Sequence, residues 1–169
     1  MFWKKNKPNL KNSESLISRK YRFCSVYIST KYSQIIFIPW GKTGNGAYAE
    51  IEEISVDSWP CEFSSLQTNI EKTLNLYSEK HEYIKGNWPS YKKSKAKSQK
   101  SYESDYVFIN IETDLTKPYL EMEKERITVT ARPTQLDTSY KLTGTTHNID
   151  TKVAQLVLDI FSACERIRS

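Results

Sequence analysis

Carboxylates come closest to a chemical pattern in this sequence. Glu50, Glu52 and Glu53 form one group, and Glu112, Asp114, Glu121, Glu123 and Glu125 another. A spacing of two places side chains on one face of a strand. Paired acids so placed can serve the acid–base chemistry of nucleases and glycosidases. No catalytic His or Lys partner accompanies these, so they read as a solvated acidic face. His81 and His147 are far apart, and neither has a second ligand at metal-binding spacing. Cys61 stands near the start of a helical pattern, where the helix dipole lowers a thiol's pKa, while Cys164 falls on an apolar helical stripe that packing explains. The run GKTGNG at 41–46 contains a GKT but lacks the upstream glycine and the following helix of a phosphate loop, and it reads as a loop. No catalytic apparatus and no cofactor are implied.

The elements that must position these residues follow from periodicity. Alternation from residue 20 to 29 predicts a strand, 34–38 a second strand ended by Pro39, and 51–57 a shorter third. The glycine-rich stretch between them predicts a loop. Phe63, Leu66, Ile70, Leu74 and Tyr77 recur at spacings of three and four, which predicts a helix over about 61–80, capped by Asp57 or Ser58. The lysine-rich stretch 86–101 predicts an exposed loop. Strand chemistry returns at 102–113, 119–122 and 126–131. Val153, Leu156, Val157, Ile160, Cys164 and Ile167 form the apolar stripe of a closing helix.

The run from QIIFIP through EISVDSWP to the first helix resembles the run from RITVTARP to the last, as a structural duplication would. The pattern implies an α+β fold, a mainly antiparallel twisted sheet of about five to six strands with two main amphipathic helices packed on it. Residues 1–18 form a polar N-terminal segment, and 19–169 read as a single domain of ordinary size.

The net charge of +5 is segregated. Residues 1–22 carry +6, residues 85–101 carry +6, and the remainder carries −7. The body of the domain is thus acidic. Lysines between 85 and 101, flanked by Trp88 and Tyr91, offer a nucleic-acid reading of phosphate contacts with base stacking. Against it, the run has no arginine for bidentate recognition, and Lys/Ser runs are commonly solvated. Three cysteines at wide spacing, no apolar run of transmembrane length and no apolar stretch after the basic N-terminus together suggest a reducing, cytoplasmic setting.

Several phrases in order (the glycine-rich loop, SVDSWPCEF before a helix, WPSYKK, RITVTARP, and the closing HNIDTKVAQLVLDIFSAC) resemble the immunity proteins of bacterial contact-dependent growth inhibition systems, over about residues 20–168. The resemblance implies a cytoplasmic, non-catalytic protein. Its partner would be the C-terminal toxin domain of a contact-dependent inhibition effector, typically a nuclease and in some cases one that attacks tRNA. Acidic residues from the two groups above would then cover a positive groove. Trp40, Tyr48, Trp59 and Trp88 would supply aromatic anchors. Immunity proteins against nucleases are often acidic overall, and this chain departs from that.

Overall fold

The computed structural model describes residues 21–115, 125–137, 139–147 and 149–169. In chain order it contains β1 (Arg22–Ser29), β2 (Gln34–Thr43), β3 (Tyr48–Glu50), β4 (Ser55–Ser58), α1 (Phe63–Asn75), β5 (Ser78–His81), α2 (Pro89–Lys93), α3 (Gln99–Asp105), β6 (Val107–Leu115), β7 (Glu125–Arg132), β8 (Leu142–Thr146) and α4 (Ile149–Arg168). The fold is α+β. The strands run in the order β3-β2-β1-β6-β7-β8, with β4 and β5 also paired to β2. All of the pairings are antiparallel except that of β5 with β2.

Period-two patterning divides the sheet into two faces. Cys24, Val26 and Ile28 of β1, with Val107, Ile109 and Ile111 of β6 and Ile127 and Val129 of β7, all point to the front and are fully buried. There they meet Leu66, Ile70 and Leu74 of α1 and Val153, Val157 and Cys164 of α4. Each such aliphatic side chain stabilises the fold by roughly 1.5–3 kcal/mol on burial. Both main helices therefore lie on one side, where their apolar stripes require them.

The topology repeats. β1, β2 and β4 form an antiparallel set followed by α1, and β6, β7 and β8 form another followed by α4. β1 and β6 lie antiparallel at the junction of the two sets. The segment between the sets, carrying β5, α2 and α3, has no counterpart in the second half, and it covers only part of the back face.

The structure corrects several expectations. The sheet has eight strands rather than five or six, and two short helices accompany the two main ones. β2 does not stop at Pro39. That proline pairs with Cys24 at the end of the β1 ladder, and beyond it the chain continues as a strand to pair with β3 and β5. A missing N–H is tolerated where a strand leaves one partner for others. The first helix ends at Asn75, and residues 78–81 run beside Gly41 and Thr43 as β5. Its N-cap is Glu62 with no side-chain cap bond, while Asp57 instead accepts a hydrogen bond from the Ser65 hydroxyl at 3.2 Å. Tyr102 lies within a helix and does not open a strand: α3 occupies 99–105, and β6 starts at Val107. The expected strand at 119–122 and the N-terminal segment 1–18 lie outside the described residues.

The lysine-rich stretch is also no loop. α2 begins with Pro89 in its first turn, and α3 begins with a capping box between Ser98 and Ser101. Tyr102 and Tyr106, both fully buried, hold this insert against Tyr27, Ile36, Ile38 and Phe108 on the back of the sheet. Buried Gln34 donates to the carbonyl of Lys93 at 3.1 Å and accepts from the backbone N–H of Lys95 at 3.0 Å, which fixes the joint between the two helices.

Candidate functional site

Among the described residues, α2 and α3 cover the β1–β2 side of the back face and leave much of β6, β7 and β8 open. The open part carries the even-numbered residues of β6 and β7, Asn110, Glu112, Thr128, Thr130 and Arg132, none of them buried. Polar side chains fit a face that water or a partner must cover. Where the insert ends, a cleft of about 500 Å³ opens between the two regions.

The cleft is aromatic on one side. Phe23 and Tyr27 of β1 and Phe108 of β6 form its floor, and Trp40, Tyr48 and Trp88 form its walls. Phe23 stacks on Trp40 with ring centroids 5.3 Å apart, and Tyr48 meets the same Phe23 edge-on at 5.4 Å. Trp88 packs edge-on against Tyr102 at 5.2 Å. These contacts hold the rings in fixed orientations, a condition for low-entropy anchoring of a partner.

A polar relay crosses the floor. The Trp40 indole N–H donates to Ser25 Oγ at 2.8 Å, and the Ser25 hydroxyl donates to Asn110 Oδ1 at 2.7 Å. An indole nitrogen can only donate, so Ser25 accepts there and passes its own proton on to Asn110. Beyond Asn110 the cleft continues into a polar hollow of about 240 Å³ lined also by Glu112, Thr130, Arg132, Gln135 and Lys141.

The carboxylates named from sequence take different positions. Glu50 lines the cleft but is mostly buried and occupied. It accepts from the Ser90 backbone N–H at 2.8 Å, the Ser90 hydroxyl at 2.6 Å and the Trp88 indole at 3.1 Å. Burial pushes its carboxyl above the usual range, the bonds from Ser90 and Trp88 pull it back, and nearby Glu52 adds to the rise. Glu52 accepts from the Asn87 side chain, and Glu53 is exposed. Glu112 is exposed at the hollow, and Asp114 faces Arg126 at 3.6 Å. Glu121, Glu123 and the side chain of Glu125 lie outside the described residues.

Trp40, Tyr48 and Trp88 thus converge on one cleft. Trp59 does not. It sits on the front face, edge-on to Phe161 at 5.0 Å, within the helix-side core. Sequence reasoning passed over Ser25, Asn110 and Arg132. The one signal for Asn110 was a lone amide inside the apolar run 107–111.

Other chemistry is not assembled. Cys61 is half-buried, and burial, with Asp57 beside it, raises its thiol pKa, the reverse of what a thiolate nucleophile needs. The GKTGNG run spans the end of β2 and its turn into β3, closed by Thr43 N–H to Ala47 O at 2.8 Å, with no helix after it. Among the described residues no group of His, Cys, Asp and Glu is placed to hold a metal ion. No helix among them is long and apolar enough to cross a membrane.

No protein-family model matches the sequence, and no curated protein is significantly similar to it. A solved structure of a protein of unknown function from Neisseria meningitidis is similar to this fold, with a TM-score of 0.54, 8% identity, and 86% of this chain and 96% of that chain covered. At that identity the likeness concerns the fold.

Proposed function

We propose that this protein is an immunity protein that binds and neutralises the toxin domain of a contact-dependent growth inhibition effector, blocking its active site or its access to substrate. The observation that carries the proposal is the convergence of Trp40, Tyr48 and Trp88 on one open cleft. Rigid aromatics at a concave, partly polar surface are what a tight protein–protein interface uses as anchors. The sequence resemblance supports the same reading and supplies the class of partner. Exposed Glu53 and Glu112, with no ion pair among the described residues, would supply long-range attraction to a basic nuclease surface, whereas Glu50 and Glu52 hold the insert in place.

The test is co-expression with the toxin domain encoded immediately upstream. A complex should co-purify and should protect cells from that toxin. Trp40→Ala combined with Tyr48→Ala should weaken the complex at least about tenfold. Absence of any complex would sink the proposal.

A second reading keeps support from one observation: Lys92, Lys93, Lys95, Lys97 and Lys100 are exposed on α2, on α3 and in the turn between them. They could meet phosphates, although Trp88 and Tyr91 pack against Tyr102 and one another instead of standing out to stack on bases. Single-stranded RNA affinity that falls steeply with salt and vanishes when these lysines become alanine would favour this reading.

A further inference from the structure

We infer that the hollow around Asn110 and Arg132 is a subsite for an acidic side chain of a protein partner, adjacent to the aromatic cleft that takes an apolar one. The inference rests on the reading that a protein docks on this face, whichever protein that is.

The donor relay sets the chemistry of the floor. Ser25 is fully buried, and Asn110 supplies the acceptor for its hydroxyl proton. The Asn110 carbonyl oxygen is thereby turned toward β1. Its amide NH2 has no hydrogen-bond acceptor among the described residues, and Asn110 lines both the cleft and the hollow. Two N–H donors are therefore presented to whatever enters.

Arg132 adds the charge. It lies on the neighbouring strand, paired with Phe108, while Asn110 pairs with Thr130 two positions away. Its guanidinium has no ion pair among the described residues and is half-buried at the rim of the hollow. Lys141 brings a second positive charge, an ammonium, from the segment before β8. The acid of the hollow, Glu112, pairs with Thr128, so its backbone lies four residues, about 13 Å, along the strands from that of Arg132. The Arg132 end accordingly attracts an anion. An arginine fork beside a planar amide donor matches the in-plane lone pairs of a carboxylate. The aromatic walls next to it favour a ligand whose acidic group sits beside an apolar group, as in a peptide loop, over a bare ion.

The test is an NMR titration of the full isotope-labelled chain with the peptide acetyl-Phe-Glu-amide, its glutamine counterpart acetyl-Phe-Gln-amide, and inorganic phosphate. The reporters are the Asn110 side-chain amide and the Arg132 Nε–H. Both should shift with the glutamate peptide and respond far less to the glutamine one. Asn110→Asp retains an acceptor for Ser25 but exchanges the amide donors for a second oxygen, and Arg132→Gln removes the charge. Each variant, checked for an unchanged Tm, should bind the glutamate peptide at least about tenfold more weakly. No shift, equal response to the two peptides, tighter binding of phosphate, or undiminished binding in both variants would overturn the inference. The probe is independent of the toxin domain. Glutamate-specific binding without a toxin complex supports the subsite and sinks the toxin reading. A toxin complex indifferent to both N110D and R132Q overturns the subsite and leaves that reading intact.

Discussion

Glu50 on β3 receives both the backbone N–H and the hydroxyl of Ser90 on α2. Ser90 in turn accepts from the hydroxyl of buried Tyr102 at 2.6 Å, so one carboxylate couples a sheet strand to both helices of the insert. The insert forms one wall of the cleft. The shape of the candidate site therefore depends on a mostly buried carboxylate that burial makes easier to protonate than an exposed one.

Glu50→Ala should destabilise the protein by about 2–4 kcal/mol, because it strands two Ser90 donors and the Trp88 indole in a dry environment. Glu50→Gln should cost less and should alter the pH dependence. The folded state holds the Glu50 proton to higher pH than the unfolded chain does. Its contribution to stability is thus full below the ordinary carboxylate range and declines as pH rises through the raised value. Urea unfolding at a series of mildly acid pH values should show that decline in the parent protein and its absence in the glutamine variant.

Ser25→Ala removes the middle of the relay and leaves the Trp40 N–H and the Asn110 oxygen without partners. A loss of about 1–3 kcal/mol is expected in the urea midpoint. The Asn110 side-chain amide should broaden or shift in NMR spectra as its fixed orientation is lost. A sharp, unmoved signal would show that Ser25 does not orient it.

Gly41→Ala should detach β5. A Cβ at Gly41 would lie 2.3 Å from His81 Cβ and 2.6 Å from His81 Cγ, atoms too near the backbone to swing aside. Protection of the amides at 78–81 from hydrogen exchange should fall sharply while that of β1 and β6 stays high. Unchanged protection would mean that β2 and β5 can separate without loss.

Cys61 should be a poor nucleophile. With its pKa raised by burial and by Asp57, it carries less thiolate at neutral pH than an ordinary cysteine. Iodoacetamide should label it more slowly than a free thiol, with the rate rising only above the usual thiol range. Rapid labelling at neutral pH would contradict this environment.

Much of the front of the molecule was legible from pattern alone. α4 reads from the spacing of Val153, Val157, Ile160 and Cys164, and all four are buried. β7 reads from alternation, because a face that must exclude water forces period two into the sequence, while β1 and the first part of β2 read as apolar runs buried on both faces. The two strand–strand–helix sets also echo in sequence order. Local chemistry suffices where one residue pattern admits one conformation.

Other outcomes needed the tertiary structure. Residues 78–81 continue a helical pattern in sequence yet form β5, since Gly41 offers a backbone close enough to pair. Stretch 86–101 looks like a solvated loop by its lysines, yet Tyr102, Tyr106 and Gln34 fold it onto the sheet through contacts more than fifty residues apart in sequence. Aromatic anchors could be named from composition, but not that Trp40, Tyr48 and Trp88 share a cleft while Trp59 lies on the opposite face. Composition and periodicity determine which residues can be buried and in what local conformation. Which distant groups meet, and so whether a carboxylate faces a partner or holds the fold together, depends on strand order and register, which only the packed chain decides.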